Sequence, residues 1–190
     1  MTPPIDRETL ETEFGPDELI TFSEAVVADI PHEPSARFLR DVGIPSRDNP
    51  WFDLVDDGEE ELRTLGDCYD DLRERWTNLP EDAENWLLLG MIPYDDIALD
   101  GATGVVQLLP GDESDVYPLN KDLNSFAHFL YVLEKERPNY DFESEQETLD
   151  PRGAARRLTE QMREIDPEAL AVRPSRWHDI LEYVEFPESR

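Results

Sequence analysis

Histidine and cysteine, the side chains that most often bind metals or attack substrates, are rare in this sequence of 190 residues. His32, His128 and His178 lie far apart, and none has a second histidine three or four residues away. Two ligands on one helical face need that spacing, so the pattern argues against a zinc site. Cys68 is the only cysteine, which excludes an internal disulfide and a cage of thiolates. We expect neither a metal nor a cofactor.

Carboxylates are the other groups that could do chemistry, and they are very abundant. Asp and Glu number 46 against 17 for Lys and Arg, so adjacent pairs such as Asp56-Asp57 and Asp95-Asp96 arise without a catalytic need. A catalytic acid and base would need burial to shift one pKa, and these pairs are predicted to lie in polar loops. The sequence also has no nucleophile elbow, no phosphate-binding loop and no dinucleotide-binding turn. We therefore expect no catalytic residues and no enzyme.

The formal net charge of −29 is the strongest compositional signal. Such a surface repels nucleic acid and anionic membranes and attracts basic proteins. We therefore expect a basic protein partner, with no binding to nucleic acid or membranes. An acidic composition with only two lysines is also typical of proteins from a high-salt cytoplasm, where the acidity would say nothing about partners. The oligomeric state is not indicated.

The compartment follows from the cysteine count and from the N-terminus. Residues 1–7 have neither a charged-then-apolar pattern nor a cleavage site, and no apolar run approaches the length of a membrane span. A chain with a single cysteine suits a reducing compartment. We expect a cytoplasmic protein that is not exported by a classical signal.

The stretch from 85 to 136 predicts a small sheet followed by one long helix. Short apolar runs bounded by Gly, Pro or Asp are typical of strands. They lie at 86–89, 96–99, 105–109 and 116–119. Gly90 and Pro93 are expected to bound the first strand. Asp100-Gly101 favours a tight hairpin, because glycine readily adopts the positive φ that such turns need.

A helix is predicted after this sheet, because apolar residues recur at the spacing of one buried face. These residues are Leu123, Phe126, Ala127, Leu130 and Leu133. Asn120 is the predicted N-cap, since its side-chain oxygen can accept an unpaired N–H of the first turn. Pro138 is predicted to end the helix.

The flanking segments predict further helices and two short strands. Helices are predicted at 7–14, 35–42 and 151–165 and after Pro174-Ser175, and strands at 19–22 and 51–55. Residues 62–80 have apolar side chains at helical spacing, which predicts an added helix beside the sheet. The acidic run 56–61 is predicted to be an exposed loop, and 139–149 a surface linker.

Four groups of residues occur in a distinctive order in the centre of the chain. They are Arg37-Phe38-Leu39-x-x-Val42-Gly43-Ile44-Pro45, Leu87-Leu88-Leu89-Gly90, Ile97-x-Leu99-Asp100-x-x-Thr103-Gly104-x-Val106 and Leu119-Asn120-x-x-Leu123-x-x-Phe126-x-x-Phe129-Leu130. In this order they resemble the SUKH superfamily, particularly its fourth immunity-protein family. The resemblance implies an α+β fold with a small antiparallel sheet, a meander, and flanking helices. We expect a single domain over 1–190, with its core at 37–137 and a C-terminal helical extension at 150–186.

The resemblance also implies a function. It implies a non-enzymatic immunity protein that binds and neutralises a toxin, often a nuclease or a nucleic-acid deaminase, of bacterial competition systems. The matched residues carry over as fold-keeping ones, in turns, in the helix cap and in the core. They are Gly90, Asp100, Thr103, Gly104, Asn120, Phe126 and Leu130. The superfamily is also used for regulation and scaffolding, so a non-catalytic interaction module whose acidity is a solubility or salt adaptation is the alternative.

The acidic loops are the predicted docking surface for such a toxin. Domains that act on nucleic acid attract phosphates and are therefore basic, so an acidic inhibitor is steered to them. Trp51, beside the acidic run, would be an aromatic anchor if it is exposed. The predicted partner-binding residues are Trp51, Asp56, Asp57, Glu59, Glu60, Glu61, Asp95, Asp96, Asp112, Glu113 and Asp115.

Overall fold

A computed structural model describes residues 3–46, 51–54, 62–92, 94–141, 149–173 and 175–187. The strands in this part of the chain are β1 (Leu19–Ile20), β2 (Ile44–Pro45), β3 (Asp53–Leu54), β4 (Leu87–Ile92), β5 (Asp95–Leu99), β6 (Val106–Leu109) and β7 (Tyr117–Asn120). The helices are α1 (Arg7–Phe14), α2 (Glu24–Val27), α3 (Glu33–Asp41), α4 (Leu65–Cys68), α5 (Leu72–Arg75), α6 (Leu123–Tyr140), α7 (Pro151–Ile165) and α8 (Arg176–Glu185). None of these helices is both long and apolar enough to cross a membrane.

The strands form two antiparallel sheets. The larger has the order β3-β4-β5-β6-β7, and β1 pairs with β2 in a separate ribbon. Strands β4 to β7 are neighbours in sequence and in space, which is the predicted meander. The predicted α+β class with a small antiparallel sheet is therefore confirmed.

Capping residues in the sequence correctly predict where two of the helices begin. The carboxylate of Asp6 accepts a hydrogen bond from the Thr9 N–H at 2.9 Å, and the carboxylate of Asp150 accepts one from the Gly153 N–H at 3.0 Å. Both are N-caps, which satisfy an N–H that the helix itself leaves unpaired. These contacts lie within three residues, so the sequence alone predicts where α1 and α7 begin.

Gly90 was expected to bound a strand, and the structure corrects this. Gly90 lies inside β4, where the register with β5 shifts between Leu88 and Gly90. Its φ is +139°, and a Cβ at this position would lie 2.3 Å from the carbonyl oxygen of Asp53. Glycine is needed here because β3 passes too close for any side chain.

Two predictions about α6 are also wrong. Its N-cap is Asp122, which accepts from the Ser125 N–H at 2.7 Å, whereas Asn120 ends β7. The Asn120 side chain instead donates to the buried carboxylate of Asp166, at 3.3 Å. Pro138 lies within α6, two residues before its end, where a missing N–H removes only one hydrogen bond from the last turn.

Both faces of the larger sheet are covered. Successive side chains of a strand point to opposite faces, so Ile97 and Leu99 of β5 contribute to one apolar cluster and Ala98 to another. The first cluster includes the buried side chains of α6. The second contains Leu65 and Leu72, from the short helices α4 and α5, which replace the single helix predicted within 62–80.

Helix α8 is fixed to the sheet by one tryptophan. Trp177 is 0% exposed, and its ring lies 5.7 Å from that of Phe52, 6.3 Å from that of Phe126 and 4.9 Å from that of Phe129. Its indole N–H donates to the Leu119 carbonyl at 3.1 Å. We propose on this ground that the C-terminal helices are part of one folding unit, rather than an extension to it.

Replacing Trp177 with Ala should therefore destabilise the whole chain. Removing a buried tryptophan leaves a large cavity and an unpaired carbonyl, and such truncations cost about 3–5 kcal/mol. Urea unfolding followed by circular dichroism should show one transition at lower urea. Tyr94→Ala, at a side chain that is 88% exposed, is the control and should stay close to wild type. A second, unshifted transition would show that the C-terminal helices unfold separately.

Candidate functional site at the hairpin end

Two connections meet at one end of the sheet. Tyr94 lies between β4 and β5, and the chain from 110 to 116 joins β6 to β7. The Gly111 N–H donates to Asp95 at 3.0 Å, and a Cβ on Gly111 would lie 1.8 Å from the Tyr94 carbonyl oxygen. The two connections are thus packed backbone against backbone. We call Tyr94, Asp112, Glu113 and Asp115 the hairpin-end surface.

Tyr94 is the most exposed large hydrophobic side chain among the described residues, at 88%. Its φ is +71°, and Glu113 on the neighbouring connection has φ +62°. Non-glycine residues rarely adopt this left-handed conformation, which costs on the order of 1 kcal/mol or more and is concentrated at functional sites. No other described non-glycine residue has a positive φ. An aromatic side chain is therefore held in water by two strained turns.

The carboxylates of the hairpin-end surface are exposed. Asp112 accepts from the Ser114 N–H at 3.0 Å, and the hydrogen bonds with Ser114 hold the pKa of Asp112 below its usual range. Glu113 lies 3.7 Å from Arg75 in a loose ion pair. Asp115 has no hydrogen-bond or ion-pair partner in the described part of the chain. These three exposed carboxylates make the surface acidic.

Asp95 was predicted to lie in a polar docking loop, and this is wrong. It lies on β5, is 3% exposed, and accepts from the Arg176 guanidinium through both Nε, at 2.7 Å, and Nη2. Such a carboxylate is buried because a forked donor pairs with it. The Tyr117 hydroxyl in turn accepts from the backbone N–H of Arg176, at 3.0 Å. Asp95 therefore links α8 to the hairpin end through buried hydrogen bonds and is not available at the surface.

Asp96 was also placed in a loop, and it too is buried on β5. It points to the opposite face from Asp95 and accepts a short hydrogen bond from the Tyr69 hydroxyl. Burial raises the pKa of Asp96, and it raises that of Tyr69 to about 12. The Arg75 guanidinium lies 4.8 Å from the centre of the Tyr69 ring and also forms the ion pair with Glu113. Arg75 therefore connects the buried Tyr69–Asp96 pair to the hairpin-end surface.

Trp51 was the predicted exposed anchor, and the structure shows that it is part of the core. It is 9% exposed, and its ring packs edge-on against Tyr183 with centres 4.5 Å apart. Phe52, beside it, is also buried. The other predicted residues of that segment, Asp56, Asp57, Glu59, Glu60 and Glu61, lie outside the described residues.

The structure thus brings Asp112, Glu113 and Asp115 together at one end of the sheet, and it adds residues that sequence reasoning missed. Tyr94 and Arg176 are the two that matter most. The available signal for Tyr94 was a lone aromatic side chain between two predicted strands. Arg176 gave no signal, because it lies 81 residues from Asp95 in the chain. Within the described ranges, no group of three or more His, Cys, Asp or Glu side chains could hold a metal ion.

A family comparison assigns this fold. The model of the SUKH-4 immunity protein family matches residues 5–183. The chain belongs to the SUKH-4 family. No curated protein and no solved structure matches it significantly. The match confirms the resemblance in the central segment and extends it to α1, α7 and α8.

Membership gives this SUKH-4 protein an immunity function and a toxin as its binding partner. Immunity proteins of this family are generally non-catalytic. The hairpin-end surface has the features of a binding surface, with an exposed aromatic side chain, exposed charges and a supported backbone. The buried carboxylates next to it, Asp95 and Asp96, are used in internal pairs.

Replacing Asp96 with Asn should change how stability depends on pH. The folded pKa of Asp96 lies above the value of 3.8 that applies in the unfolded chain, so its protonated form is favoured by folding. The stability that Asp96 contributes is therefore greatest at low pH and falls as pH rises through the folded pKa. Asn keeps an acceptor for Tyr69 and carries no charge. The difference in unfolding free energy between Asp96→Asn and wild type should therefore increase with pH.

Urea unfolding at a series of pH values from about 4 to about 7 measures this difference. Asp112→Asn is the control. The pKa of Asp112 is lowered in the folded state, so its contribution is present above the unfolded value of 3.8 and is lost only as pH falls below it, and its difference from wild type should stay nearly flat over this range. A flat difference for Asp96→Asn across this range would contradict a raised pKa at that position.

The Asp95–Arg176 pair is tested by a double-mutant cycle. Arg176→Met alone leaves a buried carboxylate unpaired and should cost on the order of 2 kcal/mol, less than a fully buried pair because the arginine is partly exposed. Adding Asp95→Asn removes that charge and should recover part of the loss. Asp95→Asn is also measured alone. If the losses of unfolding free energy in the two single variants, measured in urea, add up to the loss in the double variant, the pair contributes nothing.

Proposed function

We propose that this protein neutralises a basic toxin domain, a nuclease or a nucleic-acid deaminase of a bacterial competition system, by docking its hairpin-end surface on that domain. One observation carries the proposal. An exposed Tyr94, in a left-handed conformation, lies on a connection packed against the turn that presents Asp112 and Glu113. The encounter would take place in the cytoplasm, where a nucleic-acid-directed toxin meets its substrate.

Electrostatics supports a basic partner. A domain that acts on nucleic acid needs a positive surface to bind phosphates. The chain has a net charge of −29, so its field accelerates encounter with such a surface and orients the approach. Asp112, Glu113 and Asp115 would then face the basic groove of the toxin. The same charges disfavour nucleic acid and anionic membranes as partners.

Tyr94 is expected to provide binding energy, which long-range charge alone does not. Long-range charge mainly increases the association rate, whereas aromatic side chains buried at the centre of an interface provide much of the binding energy. A tyrosine loses little conformational freedom on binding, and here its backbone is already fixed by Gly111. The Arg176–Asp95 pair and the Tyr69–Asp96 hydrogen bond hold the turn from both faces of the sheet. The surface is thus organised before the partner arrives.

Charge reversal tests this proposal, with a toxin domain encoded beside the immunity gene as the partner. The triple variant Asp112→Lys, Glu113→Lys and Asp115→Lys should weaken binding at least about tenfold, mainly through a slower association rate. Tyr94→Ala should also weaken binding about tenfold, through faster dissociation. Surface plasmon resonance measures both rates, and survival of cells that express the toxin measures protection.

The matched control reverses three exposed carboxylates elsewhere, with Glu8→Lys, Asp17→Lys and Glu160→Lys in one chain. This variant has the same change in net charge and should lose much less affinity. Equal losses in the two triple variants would show that only the total charge matters. An affinity that is insensitive to salt and to both variants would instead favour the scaffolding alternative, with acidity as a solubility trait.

A further inference from the structure

Two exposed hydrophobic side chains lie three residues apart at the hairpin end. The large hydrophobic residues that are exposed in the described part of the chain are Tyr94 at 88%, Met91 at 42% and Phe186 at 42%. Met91 is in β4 and Tyr94 lies between β4 and β5, so these two belong to one hairpin, whereas Phe186 follows α8. Single exposed hydrophobic residues are common on proteins, but neighbouring ones often mark an interaction site.

The strand register shows which side of the sheet Met91 faces. Met91 pairs with Asp53 of β3 and with Asp96 of β5. Asp96 pairs in turn with Leu109 of β6. Directly paired residues of neighbouring strands have their side chains on one face of the sheet. Asp96 accepts from Tyr69 on that face, so Met91 lies on the same side as Tyr69, α4 and α5, which we call the α5 side. Helix α8 lies on the opposite side.

Exposure falls along this row of paired residues from β3 to β6. Asp53 and Met91 are exposed, whereas Asp96 and Leu109 are buried. The cause is the limited cover on the α5 side, because α4 and α5 have only four residues each. Their buried side chains belong to one apolar cluster with Ala98 of β5 and Leu109 of β6. The described part of the chain therefore leaves the β3 and β4 end of this row open to a partner.

The α5 side of the hairpin end is held rigidly to the hairpin-end surface. The Trp76 indole N–H donates to the Pro110 carbonyl at 2.8 Å. The Asn78 side chain donates to the Val116 carbonyl at 2.9 Å and accepts from the Val116 N–H at 3.0 Å. The segment that follows α5 thus holds the connection from 110 to 116 at both of its ends. Because these groups are already fixed, a partner that binds here need not order them.

The charges around Met91 favour a basic partner. Asp53 is the direct cross-strand neighbour of Met91 and is exposed, and Asp112 and Glu113 are exposed on the connection nearby. A second copy of this chain carries the same net charge of −29 and is repelled. An apolar side chain with a basic neighbour fits Met91 and Asp53 together. The flexible thioether of methionine adapts to apolar groups of different shapes.

We propose that the toxin covers the α5 side of the hairpin end, where an apolar side chain of the toxin packs against Met91 and a neighbouring lysine or arginine faces Asp53. In naming the toxin as the partner, this inference rests on the proposed function. It adds the side of the sheet that the toxin covers, which is the side of α4 and α5 and not that of α8. It also makes Met91 and Asp53 contact residues.

Oxidation of methionine by hydrogen peroxide tests this surface without any substitution. The full chain is treated alone and in complex with the toxin domain encoded beside its gene, and mass spectrometry follows each methionine. Exposed methionines form the sulfoxide fastest, so Met91 should react readily in the free chain and at least about fivefold more slowly in the complex. Met162, which is 0% exposed, is the internal control and should react slowly in both.

A matched pair of variants tests the contribution of Met91 to affinity. Met91→Gln keeps the length of the side chain and the charge of the protein, and it should weaken toxin binding about three- to tenfold, through faster dissociation. Met91→Leu keeps an apolar side chain and should bind like wild type. Phe186→Gln removes a hydrophobic side chain of the same exposed fraction beyond α8, and should change affinity by less than about twofold. Surface plasmon resonance measures these affinities.

The charge beside Met91 is tested in the same way. Asp53→Asn should weaken toxin binding about two- to fivefold, as expected for one charge pair at an exposed position. Glu185→Gln, which removes one exposed carboxylate from α8, is the control and should change affinity less. Equal effects of the two variants would show that only the total charge matters and would remove Asp53 from the interface.

Three further results would overturn the inference. The first is an unchanged rate of Met91 oxidation in the complex. The second is an equal affinity of Met91→Gln and Phe186→Gln for the toxin. The third is protection of Met91 at high concentration of the protein alone, which would assign this surface to a second copy of the chain.

The two proposals can fail separately. If charge reversal at Asp112, Glu113 and Asp115 weakens binding while Met91 is not protected, the toxin does not cover the α5 side and the proposed function stands. If Met91 is protected and Met91→Gln weakens binding while that charge reversal leaves binding unchanged, the hairpin-end proposal fails and the toxin binds the α5 side alone.

Discussion

The burial of Trp177 is the interaction on which the rest of the structure depends. One side chain joins three parts of the core, through ring contacts with Phe52 before the meander and Phe126 in α6 and through a hydrogen bond to β7. It also sets the position of α8. Because Arg176 precedes Trp177 directly, docking of the tryptophan brings the guanidinium to Asp95 at the sheet end. The support of the hairpin-end surface is thus a consequence of core packing.

Asp95 and Asp96, adjacent on β5, point to opposite faces of the sheet and have different partners. Side chains alternate across a sheet, so Asp95 meets Arg176 on one face and Asp96 meets Tyr69 on the other. Neither is available to a partner, yet each holds the turn that presents Tyr94. The strained backbone there is stable because the structure constrains it from both sides. In this SUKH-4 protein, the carboxylates of Asp112, Glu113 and Asp115 remain exposed beside this constrained turn.

Much of the fold could be predicted from the sequence, because the relevant interactions are local. The cap at Asp6 and the proline after Asp150 fix the starts of α1 and α7 within one helical turn. The stripe from Leu123 to Leu133 predicts the buried face of α6, and turn residues separate the strands of the meander. The N-cap of α6 was predicted wrongly, because two nearby residues were equally good candidates. Asn120 and Asp122 are both good caps, and the choice depends on Asp166, which is distant in sequence and engages Asn120.

By itself the sequence determined the α+β class, the family and an overwhelmingly negative surface, since composition, spacing and motif order need no knowledge of distant contacts. Only the tertiary structure decided which charges are usable. It buried Asp95, Asp96 and Trp51 and exposed Tyr94, because burial depends on partners that approach from elsewhere in the chain. Arg176 reaches Asp95 across 81 residues. A carboxylate in a loop and one buried against an arginine look the same in sequence, and the difference between them is made by packing.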